Sequence, residues 1–148
     1  MNGTLRERAL RLLARREHAR AELARKLAPH AESEQALEAL LDDLTARRLL
    51  SDERYVEMRL NARAARFGNA RLAYELRTQG VSSELVAAAL AGSADELSRA
   101  QEVWQRKFGA QPEATDAANR ARQMRFMLNR GFSAETIRRI VRGDFEND

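Results

Sequence analysis

Apolar residues recur along this chain at three-to-four spacing, and capping residues break the pattern into short helical segments. Leu5, Ala9, Leu12 and Leu13 predict a first helix. A second runs from about Ala19 through Leu23 and Leu27 and is stopped by Pro29. Ser33 caps a third, with Leu37, Leu40, Leu41 and Leu44 on one face and Arg47 and Arg48 in its last turn. Ser51 opens a fourth, with Asp52 and Glu53 in the first turn and Tyr55, Met58 and Ala62 along its stripe, before Gly68. Leu72 and Leu76 mark a fifth, closed by Gly80 in the left-handed cap position. A sixth starts at Ser82 or Ser83 and carries Leu85, Val86 and Leu90 as far as Gly92. Ser93-Ala94-Asp95-Glu96 matches a capping box and opens a seventh, with Leu97, Ala100, Val103, Trp104 and Phe108 before Gly109. An eighth from about Asp116 carries Met124, Phe126, Met127 and Leu128 to Gly131, and a ninth from Ser133 carries Ile137, Ile140 and Val141 to Gly143. No segment alternates in the manner of a strand. The pattern therefore predicts an all-α chain of about nine short helices, each marginal alone and held by packing of its apolar stripe.

The helices fall into three groups of three because the pattern repeats. Arg71, Leu76, Gly80, Ser82, Glu84, Val86 and Leu90 recur as Arg122, Met127, Gly131, Ser133, Glu135, Ile137 and Val141, at a constant offset of 51. Leu23, Leu27, Leu37 and Leu41 recur as Leu72, Leu76, Val86 and Leu90 at an offset of 49. Such a period predicts tandem units, here residues 1–50, 51–92 and 93–148. Arrays of this kind present extended binding surfaces. No linker rich in Gly, Ser or Pro separates the units.

Charge changes the picture by its distribution. The net charge of the 148 residues is only +4, from 26 basic and 22 acidic side chains. Residues 6–26 carry eight bases against three acids, residues 119–142 seven against one, and residues 32–43 five acids and no base. Basic and acidic faces are accordingly expected to lie apart, which would steer a charged partner; solvated helix faces are the plain alternative. Nearly all the bases are arginine, which suits bidentate contact with phosphates or carboxylates, although genome composition accounts for arginine equally well.

Catalytic chemistry finds little support. Cysteine is absent, so no disulfide, thiolate metal site or thiol nucleophile is available, and the composition suits a reducing interior. Neither histidine, His18 nor His30, has ligand-type neighbours at metal spacing. There is no His-Glu-x-x-His, no Gly-x-Ser-x-Gly and no phosphate-cradling glycine loop. The expectation is a non-enzymatic protein with no metal and no cofactor. Met1 to Arg16 is too charged for a signal peptide and no stretch is long enough to span a bilayer, so a soluble, cytoplasmic protein is expected. The aromatic residues fall mostly on apolar stripes, which favours core roles over base stacking.

Leu72 to Leu90 resembles a helix-turn-helix, but its second helix, Ser82 to Leu90, has no Arg, Lys, Asn or Gln to read base edges. Arg138, Arg139 and Arg142 in the last unit make a stripe better suited to phosphate contact than to sequence reading.

One family resemblance runs through nearly the whole chain. It is carried by Leu12-Leu13-Ala14-Arg15-Arg16-Glu17-His18-Ala19-Arg20-Ala21-Glu22-Leu23-Ala24-Arg25-Lys26-Leu27, then Asp52-Glu53-Arg54-Tyr55-Val56. It continues through Gly68-Asn69-Ala70-Arg71-Leu72 with Glu75-Leu76, and ends on Phe126-Met127-Leu128-Asn129-Arg130-Gly131-Phe132. In these residues the chain resembles the bacterial RecX family, regulators of the RecA recombinase. Two departures from the family pattern are visible: Ala19 stands where Ser is common, and Asn69-Ala70 replaces the usual Gly-Pro.

The resemblance implies three tandem three-helix units in an elongated, curved body. It implies a partner, the RecA filament on single-stranded DNA, with that DNA within or beside the filament as a further contact, and neither a membrane nor a small-molecule substrate. The implied outcome is inhibition: blocked filament growth and suppressed ATPase, strand-exchange and co-protease activities, and so modulation of recombination, repair and the SOS response. The expected partner-binding cations are Arg15, Arg16, Arg20, Arg25 and Lys26 in the first unit and Arg63, Arg66 and Arg71 in the second. Arg125, Arg130, Arg138, Arg139 and Arg142 complete the set in the third. A non-specific single-stranded-DNA-binding protein acting through the same arginine faces is the alternative.

Overall fold

The computed structural model describes residues 3–92, 95–109 and 117–141. Those residues form nine α-helices, a short 3-10 turn and no strand: α1 (Leu5–Arg15), α2 (Arg20–Leu27), α3 (Glu34–Ala46), α4 (Asp52–Arg63), α5 (Asn69–Thr78), α6 (Ser83–Ala91), α7 (Glu96–Phe108), α8 (Ala117–Asn129) and α9 (Ala134–Val141). The caps read from the sequence largely operate. Ser33 Oγ accepts from Ala36 N–H at 3.0 Å, Ser51 Oγ from Arg54 N–H at 3.1 Å and Ser133 Oγ from Thr136 N–H at 3.1 Å. Gly80 and Gly131 take the expected left-handed backbone, at φ +88° and +91°.

The second helix ends at Leu27 as expected, and Pro29 then sits in the 3-10 turn Ala28–His30. One local expectation is corrected. Helix α3 stops at Ala46, so Arg47 is its C-cap and Arg48 lies beyond it at φ +61°. Helix α7 begins at Glu96 with Asp95 as its N-cap, and both Glu96 carboxylate oxygens accept from other helices; Ser93, the first residue of the anticipated capping box, lies outside the described residues. The starting and ending residues anticipated for the last two helices, Asp116 and Gly143, also lie outside them.

The chain divides into two compact units, Met1–Met58 with Leu76–Val86, and Arg59–Glu75 with Ala87–Asp148. Leucine builds the core of the first, where Leu23, Leu27, Leu37, Leu41, Leu44 and Leu50 enclose Ala9, and α2 touches both α1 and α3. The second has a mixed aromatic and branched core, in which Trp104, Met127, Phe132, Ile137 and Ile140 pack with Leu97, Ala100 and Val103 where α7, α8 and α9 meet.

Each unit contains the same joint: a glycine turn pressed on the start of a helix. In the first, a Cβ added at Gly80 would lie 2.4 Å from Ala21 Cβ on α2. In the second, a Cβ at Gly131 would lie 2.3 Å from Arg71 Cβ and 2.7 Å from Arg71 N on α5. The Gly131 turn also crosses the Gly68 turn, with Gly68 N–H donating to Arg130 O at 2.7 Å and Ala70 N–H to Gly131 O at 3.2 Å. A proline at position 70 lacks the donor for the second bond.

A carboxylate locks each joint. Asp52 Oδ1 accepts from Arg20 N–H at 2.8 Å, at the start of α2. Glu96 Oε2 accepts from Asn69 N–H at 2.7 Å at the start of α5, while Oε1 accepts from Ser133 N–H at 3.2 Å at the start of α9. Both place negative charge at helix N-termini, where the unpaired N–H groups and the helix dipole favour it. Asp52 supplies a cap where Ala19 has no side-chain acceptor, and Asn69 is held by Glu96 at its N–H and by Arg99 at its Oδ1, at 2.8 Å. Arg99, only 6% exposed, also donates to Ala64 O at 2.9 Å and Phe67 O at 2.7 Å, so it ties the exit of α4 to the entry of α5.

Candidate partner-binding surface

The first basic run and the acidic third helix are not separate faces, contrary to the sequence expectation. Arg6 reaches Asp43 at 2.6 Å, and Arg20 reaches both Glu38 and Asp42 at 2.7 Å. Burial pushes the Arg20 pKa down, but hydrogen bonds and charge from Asp42 and Glu38 outweigh it and raise it. Much of the segregated charge in the sequence is therefore internal neutralisation between α1, α2 and α3.

Arg16 is likewise engaged. Its guanidinium meets both oxygens of Glu22, at 3.1 and 2.6 Å, and Glu22 Oε1 also accepts from Ala19 N–H at 3.2 Å. Burial pushes the Glu22 carboxyl up, and the Arg16 hydrogen bonds and charge more than reverse this, holding it below the ordinary carboxylate value. His18, 1% exposed, bridges Arg16 O through Nδ1 and the Lys26 ammonium through Nε2, both at 3.0 Å. Lys26 can only donate, so Nε2 is the acceptor and the ring is the neutral Nδ1–H form. Burial is the main cause that lowers the His18 pKa. Arg25 is exposed and donates to Gln79.

Arg15 differs. It is exposed and lines a cleft of about 320 Å³ with Arg8, Arg11, Lys26 and His30, over Leu12 and Leu27. Among the described residues the lining holds no acidic one.

In the second unit the predicted cations converge on one ring. Phe67, 7% exposed, has the guanidinium carbons of Arg71, Arg63, Arg130 and Arg66 at 4.3, 4.4, 5.2 and 5.4 Å from its centroid. Glu75 splits the four. It pairs with Arg63 at 2.6 Å and Arg71 at 3.3 Å, and with Arg59 at 3.6 Å. Burial pushes the Glu75 carboxyl up, but Arg63 and its neighbours hold it lower than usual. Arg66 and Arg130 have no carboxylate partner among the described residues. They join Arg106 and Lys107 around a cleft of about 230 Å³ lined otherwise by Val103 and Phe126. Arg106 donates to Ala65 O at 2.7 Å, and Lys107 and Arg130 lie 5.2 and 5.0 Å from the Phe126 centroid.

The rest of the anticipated third-unit cluster does not gather there. Arg125 and Arg138 are exposed on α8 and α9 with no ion pair among the described residues; Arg139 is half-buried, and Arg142 lies outside the described residues. Arg106 and Lys107 escaped the sequence reading because cations in a last helical turn are ordinary dipole partners. Arg8 and Arg11 look like any solvated helix face. Only the fold brings Arg66 to Arg106, forty positions on. Tyr74 departs from the core role expected of most aromatic residues and is 68% exposed. Among the described residues, no three His, Cys, Asp or Glu side chains are grouped to hold a metal, and no helix is long and apolar enough to cross a membrane.

Comparison with known proteins decides the family. Residues 51–90 match the model for the second three-helix domain of RecX, and residues 94–141 that for the third. The chain is 50% identical to the regulatory protein RecX of Leptothrix cholodnii over 147 residues, covering 98% of this chain and 92% of that one. This chain belongs to the RecX family. The RecX of Herminiimonas arsenicoxydans is 48% identical, with 98% and 95% covered. The crystal structure of RecX from Lactobacillus salivarius superposes with a TM-score of 0.82 at 17% identity, covering 95% of this chain and 94% of that one, which shows the shared RecX fold.

Proposed function

We propose that this RecX-family chain is an inhibitory regulator of the RecA recombinase, binding its filament on single-stranded DNA and restraining filament growth, ATP hydrolysis, strand exchange and co-protease activity. The observation that carries the reading is near-full-length identity with proteins named regulatory protein RecX. The repeat supports three tandem modules, residues 1–50, 51–92 and 93–148, and weak contacts from linked modules add through effective concentration.

The charge arrangement narrows the surface. Arg16, Arg20, Arg63 and Arg71 are committed to internal carboxylates. Lys26 pairs with Glu22 at 3.8 Å and His18, so the cations available to a partner are Arg15 at the first cleft, Arg66 and Arg130 at the second, and exposed Arg125 and Arg138.

The test is ATP hydrolysis by the cognate recombinase on single-stranded DNA, with this protein well below the recombinase concentration. A substoichiometric fall in rate is expected. A fall only at concentrations that coat the DNA means competition for DNA and overturns filament regulation. Charge reversal of Arg125, Arg130 and Arg138 together should weaken inhibition; unchanged inhibition removes that cluster from the binding surface.

A further inference from the structure

The second-unit cleft has an unusual chemistry. Among the described residues its polar lining is Arg66, Arg106, Lys107 and Arg130, all of them hydrogen-bond donors only, with no acid and no free acceptor side chain. A peptide laid there would leave its N–H groups without acceptors. A phosphodiester backbone presents acceptor oxygens and a permanent charge at each link, which is what four donors with no acceptor complement.

The cations are also held in place. Arg106 is tethered to the Ala65 carbonyl, Arg130 lies against Phe67 and Phe126, and Lys107 against Phe126. Bracing of this kind reduces the side-chain entropy lost on binding. The concavity, about 230 Å³, admits a flexible single strand, whereas a duplex offers only a stiff convex cylinder. Guanidinium planes beside the opening can stack on unpaired bases.

We infer that the cleft of Arg66, Arg106, Lys107 and Arg130 is a phosphate site that holds the backbone of a single nucleic-acid strand directly, without the recombinase. The inference deepens the regulatory reading and rests on it for its setting, a protein working beside single-stranded DNA.

The test is fluorescence anisotropy of a labelled oligothymidine with the intact chain, titrated over salt. Arg106→Gln with Lys107→Gln should weaken binding at least about tenfold and reduce the log–log salt slope by about 1.4, two contacts at roughly 0.7 each. Lys107→Gln alone, which breaks no hydrogen bond among the described residues, should account for about half of the slope change. Arg6→Gln with Arg47→Gln removes equal charge at a carboxylate-paired site and should change affinity by less than about twofold. Equal losses in the two double variants mean that net charge, not the cleft, holds the strand, and overturn the inference. So does tighter binding of duplex, displacement of the strand by poly-glutamate at equal charge concentration, or absence of oligonucleotide binding at low salt. Pyrophosphate and ATP distinguish sources of phosphate: displacement only at millimolar levels fits a strand site, and micromolar displacement makes it a free-nucleotide site. Inhibition of recombinase ATP hydrolysis, measured on the same proteins, reports the regulatory reading separately. Intact inhibition with no oligonucleotide binding sinks only the cleft.

Discussion

The two joints use one geometry with different chemistry. In the first unit, the Gly80 turn rests on Ala21, and Asp52 caps one helix. In the second, the Gly131 turn rests on the backbone and stem of Arg71, Glu96 caps two helices, and Arg99 ties two carbonyls beneath them. The cores differ as well, leucine in one and mixed aromatic and branched side chains in the other. What the repeats preserve is a glycine at the crossing and a carboxylate at a helix start. Those two features fix backbone position, whereas the apolar filling needs only to conserve volume.

The comparison breaks most severely at the glycines. Gly131→Ala combines left-handed strain of about 1–2 kcal/mol with a clash at the upper end of overpacking costs, about 3 kcal/mol, because Arg71 N cannot swing away. A loss of about 4–5 kcal/mol in chemical denaturation is expected, and the variant is expected at the edge of folding. Gly80→Ala should cost about 2–4 kcal/mol, since it meets one methyl group. Adding Ala21→Gly removes that methyl and should restore the clash part, leaving only strain and the small helix penalty of glycine. A double-mutant cycle without coupling refutes the contact.

The carboxylates come next. Glu96→Ala unseats charge-assisted bonds at α5 and α9 and should cost about 2–4 kcal/mol, against about 1–2 kcal/mol for Asp52→Ala at α2 alone. Equal losses, read as thermal and urea midpoints, defeat the reading that the second joint carries the heavier cap.

The helices, their order and most caps were legible in the sequence because Ser33, Ser51, Ser133, Gly80 and Gly131 act within a few residues of themselves. The joints were not. Asp52 and Glu96 look like ordinary first-turn acids, and only tertiary contact turns them toward another helix. The same limit applies to the surface. Arg16, Arg20 and Arg63 read as binding cations, but their carboxylates are reached only through the folded chain. Arg66 and Arg106 gave no local sign of sharing a cleft. Similarity covered nearly the whole chain and marked the family, not which cations remain unpaired.

Mild acid should separate the units further, because His18 lies in the first, whereas Glu22 in the first and Glu75 in the second both respond only below their ordinary 4.5. Burial holds the His18 pKa below its ordinary 6.5, so the unfolded chain binds the proton more readily. Stability from this group is complete above pH 6.5 and is lost as pH falls toward the folded value, at up to about 1.4 kcal/mol per pH unit for one proton. A protonated ring would also turn Nε2–H against the Lys26 ammonium. Glu22 adds its own loss below its ordinary 4.5. Thermal midpoints between pH 7.5 and 5 should fall for the native chain and stay flatter for His18→Gln, which keeps a donor and an acceptor. An identical slope in both defeats the assignment.

The smallest effect is the sharpest test of compensation. Ala19 lacks the hydroxyl that would cap α2, and Asp52 reaches the same helix start from α4. If Asp52 has taken over the cap, restoring the hydroxyl adds little, because the helix dipole is already met by a charge. Ala19→Ser should therefore stabilise the native chain by no more than about 0.5 kcal/mol, but the Asp52→Ala variant by about 1 kcal/mol, an ordinary N-cap value. The coupling is the content of the prediction. Equal gains in both backgrounds would mean that Asp52 and residue 19 act on the helix independently, and the carboxylate would then be a clamp between helices and not a replacement cap.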